Sequence, residues 1–90
     1  MKGYLYILES QTYKLLYLGS TKDPVLREIE HNKGTTKATK NKGPWEVTMV
    51  WEFDDIVEAK QIENKIKKMN RKLSIEYVDY FVDKWRKNKR

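Results

Sequence analysis

The run YLYILESQTYKLLYL, residues 4 to 18, decides how the rest of the chain must be read. Residues 4 to 9 (YLYILE) and 13 to 18 (YKLLYL) are rich in aromatic and branched side chains, and the polar SQT between them is a turn signal. That combination is a β-hairpin signature. Side chains alternate between the two faces of a strand, so parity puts Tyr4 and Tyr6 on one face of the first strand and Tyr13 and Tyr17 on one face of the second. Hydrophobic filling is the ordinary use of such tyrosines. Paired strands at the front of a chain need other elements to cover them.

Downstream, Asp23 is a capping side chain placed before Pro24, a residue suited to the first helical position, and Val25, Leu26 and Ile29 supply an apolar edge. A helix over residues 24 to 32 follows, closed by Gly34. After the Gly43-Pro44 break, WEVTMVWEF (45 to 53) alternates as a third strand that should join the hairpin. From Asp55, the residues Ala59, Ile62, Ile66 and Met69 recur at spacings of three and four, which predicts an amphipathic helix to about Asn70. A last helix from Ser74, its cap, carries Val78, Phe81, Val82 and Trp85 on one side. The expected fold is a small α/β sandwich: a three-stranded antiparallel sheet flanked by helices, in the order β-β-α-β-α-α. With 90 residues and no internal repeat or linker, a single domain spanning 1–90 is expected.

Composition narrows the chemistry. A mean hydropathy of -0.87 and 36% charged residues argue against a membrane protein. No apolar run approaches the roughly 20 residues that span a bilayer, and the Met-Lys start lacks the pattern of a signal peptide, so a cytoplasmic location is the default. There is no cysteine and one histidine, which excludes a disulfide framework, a thiolate zinc site and a histidine-rich metal cluster. Any metal would be held by oxygen. The net charge of +6 points to a polyanionic partner. Lys33, Lys37, Lys40 and Lys42 lie in a Gly/Thr-rich stretch without an acidic residue, and Lys84, Arg86, Lys87, Lys89 and Arg90 crowd the C-terminus. The plainer reading of these runs is a solvated loop and a frayed tail.

Three positions stand out on the helices. Arg27 and His31 are four apart and so project together, about 100 degrees around from Leu26. Asp23 and Arg27 also have ion-pair spacing, and Glu28 or Glu30 can satisfy nearby charge. Glu63 borders the apolar stripe between Ala59 and Ile66, where a carboxylate loses water; its plainer role is a surface pair with Lys67.

Taken in order, YLYIL (4 to 8), YLGST (17 to 21), Asp23, Arg27, His31-Asn32, Gly34, PWE (44 to 46) and EAKQIENKIKK (58 to 68) resemble the GIY-YIG nuclease family. The resemblance is to its small stand-alone bacterial members, related to the nuclease domain of the UvrC repair protein. It covers residues 3 to about 73 and leaves the C-terminal helix and basic tail, 74 to 90, outside. Such a resemblance implies a three-stranded antiparallel sheet with flanking helices. The implied activity is metal-dependent endonucleolytic hydrolysis of a DNA phosphodiester bond, in DNA repair or recombination, with one Mg2+ or Mn2+ per site. Tyr6 is similar in position to the first-motif tyrosine, Tyr17 to the second-motif tyrosine, Arg27 to the catalytic arginine, His31 to a histidine found in many members, and Glu63 to the metal-binding glutamate. Lys33, Lys37, Lys40 and Lys42 would contact the nucleic acid. Tyr4 replaces the first-motif glycine, with Gly3 one place early; Leu5 and Leu18 stand for isoleucines, and Pro24 and Val25 for polar residues.

Chemistry gives these residues work. Attack on a phosphodiester builds negative charge on the nonbridging and leaving oxygens, so catalysis consists largely of placing positive charge around them. Arg27 offers a fork of donors, and a hard cation on Glu63 keeps most of its water and needs few protein ligands. A tyrosine with a pKa of about 10 needs neighbouring cations to serve as base. Tyr6 is favoured for that role, with Tyr17 and His31 orienting water or relaying the proton; the two tyrosines can exchange roles. The other classes are a noncatalytic nucleic-acid-binding module of the same fold, and an interaction domain whose charge aids solubility. A protein partner could supply substrate specificity. The aromatic EYVDYFVDKW (76 to 85) is assigned to packing or partner binding.

Overall fold

The computed structural model describes residues 1–88. Two strands, β1 (Gly3–Ser10) and β2 (Leu16–Thr21), are followed by α1 (Pro24–Asn32), β3 (Trp45–Phe53), α2 (Ile56–Lys68) and α3 (Ile75–Asn88). The sheet runs β2-β1-β3 with both pairings antiparallel, so the expected β-β-α-β-α-α sandwich is the fold observed. The first strand is central because both apolar partners flank it. Register pairs Tyr6 with Gly19 and Leu8 with Tyr17 on one side, and Leu5 with Trp51 on the other, with an irregularity between Ile7 and Leu8.

Alternation along β1 builds two layers. Leu5 and Ile7 meet Leu18, Trp51 and Phe53 beneath Ala59, Ile62 and Ile66 of α2 and Val78 and Val82 of α3. Each such fully buried branched side chain is worth about 1.5–3 kcal/mol. Tyr6 and Leu8 point the other way, into a smaller cluster with Trp45, Tyr17 and Val47 on the face covered by α1. Polar clasps pin α3: the Trp51 indole donates to Asp79 (3.0 Å), that of Trp85 to Glu58 (2.8 Å), and Arg86 to the Glu52 carbonyl (2.6 Å).

Several expectations are corrected. Tyr13 is not on a strand: β2 begins at Leu16, and Tyr13 is 58% exposed in the turn. Ser10 explains this, because its hydroxyl accepts from the Tyr13 amide at 3.0 Å and shapes the turn at the end of β1. The apolar edge of α1 is not its buried face: Val25, Leu26 and Ile29 are exposed, and His31 is the buried residue. Burial there follows the hydrogen bonds available to the imidazole rather than hydropathy. Met69 is 49% exposed, since α2 ends at Lys68 and the chain turns away. Asp23 caps α1 by accepting from the Leu26 amide (3.1 Å), while Arg27 pairs with Glu30 (3.0 Å). In the C-terminal basic run, Arg86 clasps the sheet and Lys87 pairs with Asp83, whereas Lys89 and Arg90 lie outside the described residues. Among the described residues no helix is long and apolar enough to cross a membrane.

Candidate nuclease site

The site is built around a close approach in the sheet. Tyr6 lies opposite Gly19, and a Cβ on residue 19 would stand 2.5 Å from the Tyr6 hydroxyl. The glycine after Tyr17-Leu18 is therefore what lets the phenol lie across β2. The Tyr6 hydroxyl reaches His31 Nε2 at 2.9 Å. His31 Nδ1 is 2.7 Å from Thr39 Oγ1, and the Thr39 hydroxyl donates onward to the Thr36 carbonyl. The Thr39 hydroxyl lies 3.4 Å from the Thr36 carbonyl, an arrangement compatible with Nδ1–H donating to Thr39 and Nε2 accepting from Tyr6.

Tyr17 completes the cluster. Its ring centroid is 5.0 Å from that of His31 and 6.4 Å from that of Tyr6. The two tyrosines differ in access: Tyr6 is 1% exposed and Tyr17 half-buried at the rim. Because β2 is an edge strand, side chains of α2 reach around it to the same cluster. Glu63 accepts from the Ser20 hydroxyl and from the Lys67 ammonium, each at 2.6 Å, and Lys67 Nζ sits 5.3 Å from the centre of the Tyr17 ring. The pairing of Glu63 with Lys67 thus exists, but as part of this cluster, with the Glu63 side chain 16% exposed.

Burial dominates the electrostatics. The Tyr6 phenol is pushed up to about 12, chiefly because burial disfavours the phenolate; the neighbouring Arg27 guanidinium works the other way. Burial, aided by the positive charge of Arg27, lowers His31 to about 4, so the imidazole is neutral at pH 7. Arg27 is raised, first by its bond to Glu30. Tyr6, Tyr17, Arg27, His31 and Glu63 are gathered along the β2 edge of the sheet.

The four loop lysines, Lys33, Lys37, Lys40 and Lys42, are all exposed. Their loop is fixed to the site from inside: Thr39 is 1% exposed and its carbonyl accepts from the Trp45 indole (3.0 Å). Asn32 clamps the return of the chain, accepting from the Trp45 amide and donating to its carbonyl. A cavity of about 440 Å3 lined by His31, Lys33, Thr39 and Asn41 opens between helix and loop. Sequence reasoning missed Thr39, one threonine among several in a lysine-rich run, and Ser20, which no pattern sets apart from other strand serines.

A divalent cation can be tested against this donor set. Among the described residues no group of three His, Cys, Asp or Glu side chains converges, so the chain builds no multi-ligand cage. Glu63, which accepts from Ser20 and Lys67, offers hard oxygen beside Tyr17, while Glu30 is engaged by Arg27. That fits an ion that retains most of its water.

The model of the GIY-YIG catalytic domain matches residues 2–76. The chain is similar to the UPF0213 protein BH0048 from Bacillus halodurans, solved by NMR in solution. The two are 31% identical over 92% of this chain and 84% of that one, with a TM-score of 0.47. No curated protein matches the chain significantly. With five-sixths of the residues inside the family's domain model, and the first-motif tyrosine packed on the second-motif glycine, the chain belongs to the GIY-YIG nuclease family.

Proposed function

We propose that the protein is a metal-dependent DNA endonuclease that hydrolyses one phosphodiester bond per site. The observation that carries this reading is the meeting of two phenols, a guanidinium, a neutral imidazole and a rim carboxylate drawn from β1, β2, α1 and α2. A packed core does not require that combination; phosphodiester hydrolysis uses the accessible phenol, the guanidinium and the carboxylate, which the buried phenol and imidazole support.

Exposure divides the tyrosines' work. Tyr6 is sealed at 1% exposure and its hydroxyl donates to His31, so the more accessible Tyr17 is the base that meets water. This reverses the preference drawn from the sequence. Acting as its phenolate, Tyr17 takes a proton from the water as it attacks phosphorus; the bond to the leaving sugar oxygen breaks with its electron pair on that oxygen, which then takes a proton from solvent. The Lys67 ammonium over the Tyr17 ring and the Arg27 fork supply positive charge, Arg27 to the nonbridging oxygens. Tyr6, held by His31, which Thr39 holds in turn, keeps the cleft floor in place. Glu63 would hold Mg2+ or Mn2+, which when bound supplies Lewis acidity toward the leaving oxygen. The loop lysines bind flanking phosphates and contribute a salt-dependent affinity.

A noncatalytic binding module is the second reading, and one observation favours it: Lys67 already neutralises Glu63. Supercoiled plasmid with Mg2+ or Mn2+ separates the two. Nicking that disappears in both Arg27→Ala and Glu63→Gln supports the enzyme. Salt-sensitive retention of DNA without cleavage, at large protein excess, supports the module.

A further inference from the structure

On the side of α2 away from Glu63, its last turns and α3 enclose a groove of about 450 Å3. Its floor is apolar, made by Met69, Phe81 and Trp85, and its rim carries Lys65, Lys68 and Lys84. Among the described residues none of these three lysines is in an ion pair, and no acidic side chain lines the groove. The Trp85 indole is held in one orientation by its bond to Glu58, and Lys65 Nζ lies 5.8 Å from the ring centre. A flat, fixed aromatic surface beside cationic charge suits a ligand that has both a planar group and a phosphate.

We propose that this groove is a subsite for single-stranded nucleic acid, with a base stacked on Trp85 and phosphates on Lys65, Lys68 and Lys84. Unpaired bases expose the faces that stack on aromatic side chains, whereas a duplex hides them. A purely apolar partner would leave three ammonium groups without counter-charge, and a bare polyanion would leave the indole unused. The subsite deepens the proposed endonuclease reading, on which it rests, by naming its substrate class, DNA with an unpaired segment beside the scissile bond. The two sites lie on two sides of one helix, about 10–12 Å through, so a strand crossing the end of α2 joins them.

Tryptophan emission tests this, with the full chain titrated by an oligothymidylate in the absence of divalent cation. Trp45 and Trp51 are each 5% exposed, so quenching reports chiefly on Trp85. Saturable quenching that weakens with salt is expected. It should weaken at least tenfold in the combined Lys65→Ala, Lys68→Ala and Lys84→Ala variant and vanish in Trp85→Phe, with circular dichroism verifying that both variants fold. The proposal is overturned by no quenching, by unchanged affinity in the triple variant, by quenching that survives Trp85→Phe, or by equal quenching from blunt duplex or inorganic polyphosphate. Cleavage is not read, so a protein that never nicks plasmid yet shows this quenching retains the groove and loses the nuclease reading.

Discussion

Tyr6 and Gly19 face each other across the β1–β2 pair, and the phenol fills the space that a side chain on residue 19 would need. Gly19→Ala is therefore expected to displace the Tyr6 ring and loosen its bond to His31. Overpacking of this kind costs about 1–3 kcal/mol. Urea denaturation checks the loss of stability, and plasmid nicking should fall with it; wild-type stability in the variant would show that the ring has room to move.

Tyr17→Phe is expected to keep the fold and reduce nicking by about 100-fold or more, the scale of a missing general base. Tyr6→Phe acts differently. It leaves His31 Nε2 without its donor, costing about 1–3 kcal/mol for an unsatisfied buried group, and lowers activity less than the Tyr17 change. Matched denaturation curves and single-turnover rates for the two variants check the assignment, and a larger rate loss in Tyr6→Phe would restore Tyr6 as the base.

Arg27→Ala should lose about 100- to 1,000-fold in cleavage, as expected when one preorganised donor to developing charge is removed. Glu63→Gln should lower cleavage and weaken Mn2+ binding measured by titration calorimetry. Binding of uncleaved DNA should change little in Glu63→Gln. If it collapses, the carboxylate serves folding rather than ion binding.

Mild acid should destabilise the protein before carboxylates elsewhere are protonated. His31 ordinarily titrates at 6.5 but is lowered to about 4 in the fold, so between these values the unfolded chain binds a proton that the folded one refuses. Its contribution is present above pH 6.5 and is lost as pH falls toward 4, amounting to about 3 kcal/mol. Tyr6, pushed up from 10.0 to about 12, gives the opposite limb: stability falls as pH rises through that interval. Denaturant midpoints from pH 4 to 8 check the acid limb, which should flatten in His31→Gln.

Replacing Lys33, Lys37, Lys40 and Lys42 together by alanine should weaken DNA binding across sequences. The slope of log affinity against log salt should become shallower by about 0.9 for each phosphate that the lysines no longer neutralise. Fluorescence anisotropy at several salt concentrations measures it. An unchanged slope would assign these lysines to solvation.

β1, β3, the caps and the order of elements follow from local pattern, whereas β2 was expected at 13–18 and runs Leu16–Thr21. Alternation marks WEVTMVWEF as β3 to the residue, Asp23-Pro24 starts α1, and the spacing of Ala59, Ile62 and Ile66 orients α2. The motif residues were legible because type and spacing are properties of the chain. Which face of α1 is buried was not. Hydropathy chose Val25, Leu26 and Ile29, yet the sheet presents a tyrosine hydroxyl there, and His31 is buried because Tyr6 and Thr39 satisfy both its nitrogens. The same holds for Thr39 in the loop, which meets His31 across a turn, and for Lys67 over Tyr17, which joins residues far apart in the chain. Local sequence sets what a segment can form. Burial and hydrogen-bond partners exist only once the segments meet, so they, and with them the difference in exposure between Tyr6 and Tyr17, belong to the tertiary structure.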